Sequence, residues 1–287
     1  MMRGMFAAIS GLQVHQTMLD VVANDIANTN TVGYKSEMTT FKDALSQTQR
    51  GASAGSGAVG GTNAIQIGLG VQLGSISNKM DAGALQQTGS PLDLAIQGDG
   101  FFRVGDAAAV AGTAAATYTR AGNFTLDANG SLVTQDGQFV IGYLPTTPAT
   151  AAGYADPANQ TKLTVPTGGK SVAIRGDGTV SYVDAAGVQQ LLGTISMAKF
   201  PNASGVERVS GNLFRESSNS GVPVAAVPGD ATTGMGNFAV GAVEMSNVDL
   251  ASEFTRMISA QRGYEANSRI ISTADAMLQN LVNIGRG

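Results

Sequence analysis

By type, the residues of this chain best suited to chemistry are a single histidine, His15, and four aspartates, Asp99, Asp127, Asp136 and Asp177. A histidine can ligate a metal or serve as the base of a triad, but either role needs company. Zinc takes several His, Cys or carboxylate ligands at defined spacing, and this chain has one His, no Cys and no carboxylate at ligand spacing from it. A triad would require His15 to leave a helical stripe whose pattern serves packing. The aspartates could pair as acid and base or bind calcium. Asp99, Asp136 and Asp177, however, stand singly beside glycine, in Gly98-Asp99-Gly100, Asp136-Gly137 and Asp177-Gly178, and Asp127 opens Asp127-Ala128-Asn129-Gly130, all without the closing acidic ligand of a calcium loop. Such dipeptides are hairpin-turn signatures. The glycine-rich run 51–61 lacks the Gly-Lys-Ser/Thr of a phosphate loop and leads into no helix start. The expectation is no enzyme, no cofactor and no metal.

What these residues sit on is more informative. Leu250, Phe254, Met257, Gln261, Tyr264, Ser268, Ile271, Asp275, Leu278 and Val282 alternate steps of four and three, a heptad stripe. The charged residues Asp249, Glu253, Arg256, Arg262, Glu265 and Arg269 fall off it, with Glu265 and Arg269 at the four-residue spacing of a helix-surface pair. Ser246 followed by Asp249 predicts a capping box, and Gly285 a stop. The result is one helix of about ten turns. The N-terminus has the same rhythm in Met2, Met5, Ile9, Leu12, Gln16, Leu19, Ala23 and Ile26, predicting a helix over about 3–28 that ends at Asn24, Asn28, Asn30 and Gly33. Asn24, Asp25, Ala27 and Asn28 read either as a fraying polar end or as amides that set the register of packed helices. Gly11 and Gly263, costly inside helices, suit points where backbones approach closely.

The middle of the chain changes period. Runs of strand type at 71–76, 92–97, 101–104, 124–126, 131–134, 139–143, 171–174, 180–183, 194–200 and 213–216, separated by Asp/Asn-Gly turns, predict an all-β domain. The fold class is therefore α+β: long N- and C-terminal helices paired as a coiled-coil-like unit around a central β domain. The expected division is 1–33 with 246–287 as the helical domain, 34–70 as a linker with a short helix near 41–45 and a glycine-rich stretch, and 71–245 as the β body. A surface excursion near 145–166 and a second linker at 221–236 complete it.

Composition narrows the partners. The 287 residues carry 13% charged side chains and a net charge of -4, without a Lys/Arg cluster, which argues against nucleic acid. No apolar run approaches a membrane span, and the N-terminus lacks the features of a cleaved signal peptide. Two apolar stripes exceed what a two-helix hairpin can hide, so the surplus should meet other copies, and a repeated non-closing contact builds a filament. A closed dimer or four-helix bundle uses the same stripes. A secreted β-rich enzyme or binding module on a helical stalk is a remoter alternative, and an acidic cleft with Asp99 or Asp177 would mark it.

Several stretches carry a resemblance. Ser10-Gly11-Leu12, the run 22–35 with Asn24, Asp25, Ala27, Asn28, Gly33 and Tyr34, and the runs 60–63, 66–71, 92–102, 119–124, 244–250 and 261–264 together resemble the bacterial flagellar axial proteins of the rod and hook. Asp25 stands where that family usually has a second Asn. Gly61-Thr62-Asn63 and Ile67-Gly68-Leu69-Gly70 look like hook rather than distal rod, whereas the short mid-chain without a large outer domain resembles both compact hook proteins and the distal rod protein, so the hook is the main expectation and the distal rod the alternative. The resemblance implies export through the flagellar export apparatus and self-assembly into a helical tube that transmits torque. Partners would be further copies and other axial proteins of the rod, hook cap and hook-filament junction. The terminal helices would form the inner wall, with Met5, Ile9, Leu12, Leu19, Ile26, Leu250, Phe254, Met257, Tyr264, Ile271, Leu278 and Val282 as its assembly residues.

Overall fold

The chain is described by a computed structural model over residues 2–55, 60–112, 114–144, 160–230 and 233–285. It divides into two units. One comprises Met1–Ala27, Glu37–Ser77 and Asp249–Gly287; the other comprises Asn28–Ser36 and Asn78–Val248. The first is mostly helical and the second mostly β, so the fold class is α+β.

In the helical unit, α1 (Met2–Ala27) and α2 (Leu250–Ile284) follow the two stripes closely in extent. The start of α2 differs from expectation. Asp249 is the N-cap, its Oδ1 accepting the Ala251 N–H at 3.0 Å. The Ser246 hydroxyl instead accepts from Val248 N, because the residues before Asp249 belong to the β unit. Gly285 does cap the C-terminus. On the surface of α2, Glu265 is met by Arg262 at 3.2 Å rather than by Arg269.

The same unit holds a β arm where a linker with a short helix was expected. β1 (Glu37–Asp43) pairs with β4 (Val71–Asn78), and β2 (Ser46–Arg50) pairs antiparallel with β3 (Ile65–Gly68). Ala44 N to Gly70 O (3.0 Å) and Leu69 N to Leu45 O (2.8 Å) carry the ladder across the gap between the two pairs. A Ser53–Thr62 bridge extends it into the glycine-rich run, of which 56–59 lie outside the described residues. Thr39, Thr40 and Phe41 favour strand over helix, and the partner strand, distant in sequence, satisfies their backbone.

The β unit is built on a sheet whose main path runs Lys170–Ile174, Thr179–Val183, Gln189–Ile195, Phe139–Tyr143, Phe101–Gly105, Thr117–Thr119, Leu213–Arg215 and Glu207–Arg208. Every neighbouring pair is antiparallel. The predicted Asp/Asn-Gly turns appear with left-handed glycines at Gly130, Gly137, Gly178 and Gly187. Leu94, Ile96, Phe102, Val104, Tyr143, Ile195 and Met197 fill the larger core. Phe101, Tyr118, Phe200 and Phe214 fill a smaller aromatic one. Two expectations fail here. In the expected excursion 145–166, residues 145–159 lie outside the described residues, while Gln160–Lys162 is a strand on Phe139–Tyr143 and Leu163 is buried. In the expected linker 221–236, Val224–Ala226 pairs with Met197–Lys199, and Ala226 and Met235 enter the core. Composition suggested loops in both places, but pairing partners far along the chain decided the outcome.

Candidate assembly surfaces

The helices of the first unit pack as an antiparallel hairpin. A Cβ at Gly11 would come within 2.6 Å of the Asn267 amide, and one at Gly263 within 2.5 Å of the His15 ring. As the first helix advances from 11 to 15 its partner retreats from 267 to 263, which fixes the direction. Each glycine thus leaves room for the larger side chain opposite, and His15, the one candidate ligand, also stacks edge-on against Phe41 at 5.8 Å. Ala8, Gly11, Val14, Val22 and Asp25 on α1 and Glu253 and Ala260 on α2 are the residues buried along this hairpin.

That inner face is offset from the expected seam. Of the twelve candidates, Met5, Leu12, Leu19, Ile26, Met257, Ile271 and Leu278 are half-buried, and Ile9, Leu250, Phe254, Tyr264 and Val282 are exposed. None is fully buried within the chain. The residues buried most deeply along the hairpin are therefore not the large apolar ones of the drawn seam, and the small Ala8, Gly11 and Ala260 among them let the backbones approach. The sequence signal was the pair of helix glycines with Ala8 and Ala260.

Large apolar side chains remain outside. Met2, Phe6 and Ile9 are exposed on α1; on α2, Leu250, Phe254 and Ile258 recur every four residues near its start, and Ile270, Met277, Leu281 and Ile284 lie toward its end. The Gly11/Asn267 register, continued residue against residue, brings 276 level with Met2 at the start of α1. Residues 277–284 therefore reach beyond the helix they pack on, with Leu281 61% and Ile284 80% exposed. Apolar rows this concentrated mark interaction surfaces.

Gly263→Leu tests the hairpin. The added side chain must displace the His15 ring and separate the helices, and a cost of about 1–3 kcal/mol is expected. Urea denaturation followed at the helical dichroism band would measure it, and a midpoint equal to the parent's would exclude the close crossing.

The polar motif residues divide. Asn24 and Ala27 are exposed, whereas Asp25 is fully buried and its carboxylate accepts the Glu37 N–H through both oxygens, at 3.2 and 3.1 Å. Asp25 thus supplies the acceptor that holds the first amide of β1. Asn28, Gly33 and Tyr34 belong to the β unit, in a strap over 28–36. Gly33 has φ +69°, and a Cβ there would meet Ala121 N at 2.4 Å, so only glycine passes. Asn28 and Asn212 line a polar cleft of about 570 Å³.

Sequence reasoning missed what holds this strap. Glu244, with no exposure, binds Lys35 Nζ at 2.6 Å, Arg120 Nη1 at 3.3 Å and Gly83 N at 2.9 Å. Its own carbonyl accepts Gly33 N–H at 2.7 Å. Lys35 also donates to Asp81 O at 2.8 Å, and burial pushes its ammonium below the ordinary lysine range, opposed by the Glu244 carboxylate. Asn247 accepts Ser36 N–H at 2.7 Å and donates to Lys79 O and Asp81 O. Arg208 lies 4.6 Å over the Tyr34 ring and donates to Lys35 O. Lys35 and Glu244 are 209 residues apart, and no local pattern joins them. These contacts fix a backbone path and leave no reactive group poised over a substrate. Among the described residues there is no cluster of potential metal ligands, and no described helix is long and apolar enough to cross a membrane.

The described residues form a helix hairpin with exposed apolar rows and a β unit, and among them no catalytic constellation is seen; this is the pattern of an interaction surface rather than of a substrate site. The family is shown by comparison. Residues 5–35 match the model described as flagella basal body rod protein, 95–182 the flagellar hook protein FlgE/F/G D1 domain, and 239–284 the flagellar basal body rod FlgEFG protein C-terminal region. The chain is 48% identical to the flagellar basal-body rod protein FlgG of Bacillus subtilis, covering 100% of both chains. It is 38% identical to the flagellar basal-body rod protein FlgG of Caulobacter vibrioides over 97% of each. To the flagellar hook protein FlgE of Borreliella burgdorferi it is 25% identical in an alignment of 448 positions, covering 99% of this chain and 100% of that one. The chain belongs to the FlgE/F/G family of flagellar rod and hook axial proteins. It is a structural component of the bacterial flagellum, outside the cytoplasmic membrane, and not an enzyme.

Proposed function

We propose that this chain is a subunit of the distal rod of the flagellar basal body, polymerising into a tube through its helix hairpins. The observation carrying this reading is the end-to-end alignment with rod proteins at 48% and 38% identity. The alignment with a hook protein needs 448 positions, far more than this chain's 287 residues, and retains 25% identity. The hook assignment expected from Gly61-Thr62-Asn63 and the Ile-Gly-Leu-Gly stretch rested on a few exposed residues of the β arm, and the full-length comparison outweighs it. In the assembled tube the apolar rows of α1 and α2 meet those of neighbouring copies. Partners are other copies, adjoining axial proteins of rod and hook, and the flagellar export apparatus.

Electron microscopy of basal bodies from a strain lacking the gene discriminates the readings. The expected result is a shortened rod with no hook attached. Complete rods ending without hooks would instead assign the chain to the hook.

A further inference from the structure

We propose that the polar cleft of about 570 Å³ in the β unit, between the strap and the turns at 134–137 and 211–213, is a binding site for a neutral oligosaccharide. Its volume falls within the roughly 300–1,000 Å³ of small-ligand sites. The first observation is a division among its polar side chains. Asn212 Nδ2 donates to Val32 O at 3.0 Å, Thr119 Oγ1 donates to Asn212 O at 3.0 Å and Thr134 Oγ1 accepts the Gln138 N–H at 3.2 Å, so these three fix the walls. Asn30, Asn123, Gln135 and Asp136 line the same cleft, and their side chains form no hydrogen bond or ion pair among the described residues. Asn30, Gln135 and Asp136 are exposed, and the amide of the half-buried Asn123 is open to solvent. A ligand entering the cleft therefore meets unused donors and acceptors.

The second observation is what kind of groups these are. The lining holds no Lys, Arg or aromatic side chain, and its one charge is Asp136. An anion would lack a cation there, and a flat heterocycle would lack a ring to stack on. Three amides, each with N–H donors and a carbonyl, beside a carboxylate acceptor match hydroxyl groups, which both donate and accept. A Cβ at Gly211 would come within 2.7 Å of Asp136 Oδ2, so the carboxylate is seated against the turn at 211–213. Leu213, with the half-buried Val32 and Ala121, adds aliphatic surface for the C–H face of a sugar ring. A peptide is less well served. The strands that reach the cleft, Thr117–Thr119 and Leu213–Arg215, each have a neighbour on both sides and leave no open edge for it to pair with.

The test titrates full-length monomer with chitotriose, with cellotriose and with trialanine as a peptide control, following side-chain amide signals by NMR. Saturable shifts of the Asn30, Asn123 and Gln135 amides with at least one trisaccharide, at a Kd on the order of 1 mM or tighter, are expected. Two variants should each weaken that binding about tenfold or more while melting like the parent. Gln135→Ala with Asp136→Ala removes two of the unused groups, and Asn30→Trp fills the cleft from an exposed position. Absence of saturable shifts with both sugars, an equal response to trialanine, or parent-like binding by both variants would each overturn the site. Slowed polymer growth by the double variant, without sugar binding by the parent, would overturn it in favour of a neighbouring copy as the occupant.

Discussion

Glu244→Leu is expected to unfold the β unit. The substitution leaves Lys35 and Arg120 as buried cations without a counter-ion and strips Gly83 N–H of its acceptor. Removing one partner of a buried ionic group costs about 3–5 kcal/mol, a large share of the roughly 5–15 kcal/mol that holds a typical domain together. Thermal and urea denaturation of the purified chain should show the β transition shifted far down or absent, with the strap over 28–36 opened to protease. The triple change Lys35→Met, Arg120→Met, Glu244→Leu removes every charge at once and should recover much of the loss. A single Glu244→Leu variant that melts like the parent would show that the cluster contributes nothing to the fold.

The second large effect falls on assembly. Met277→Asp with Leu281→Asp should abolish polymer growth and leave the monomer's melting unchanged, because both side chains lie outside the hairpin contact, where their loss costs the monomer nothing. Each buried apolar side chain of this size contributes about 1.5–3 kcal/mol. Losing two therefore raises the critical concentration by about a hundredfold or more, before the cost of burying a carboxylate in an apolar contact is added. Sedimentation of polymer across a concentration series measures this directly. Growth at the parent's critical concentration would place the subunit contact elsewhere. Leu278, chosen from the heptad alone, is a weaker probe, since it is half-buried in the monomer itself.

The sequence by itself determined the α+β class, the extents of both terminal helices and most strands and turns of the β unit. Each of these follows from local periodicity or from one residue's backbone preference, as at Gly130 and Gly178. It also argued against a metal site, because His15 is the one histidine of a chain without cysteine. Only the tertiary structure decided which face of each helix turns inward. Periodicity locates a stripe, but whether large or small residues meet the partner depends on how closely the backbones cross, which Gly11 opposite Asn267 and Gly263 opposite His15 set. The same holds for the arm at 37–78, the strands at Gln160–Lys162 and Val224–Ala226, and the union of Lys35, Arg120 and Glu244. In each, the stabilising partner is remote along the chain, and only folding in three dimensions brings it within bonding distance.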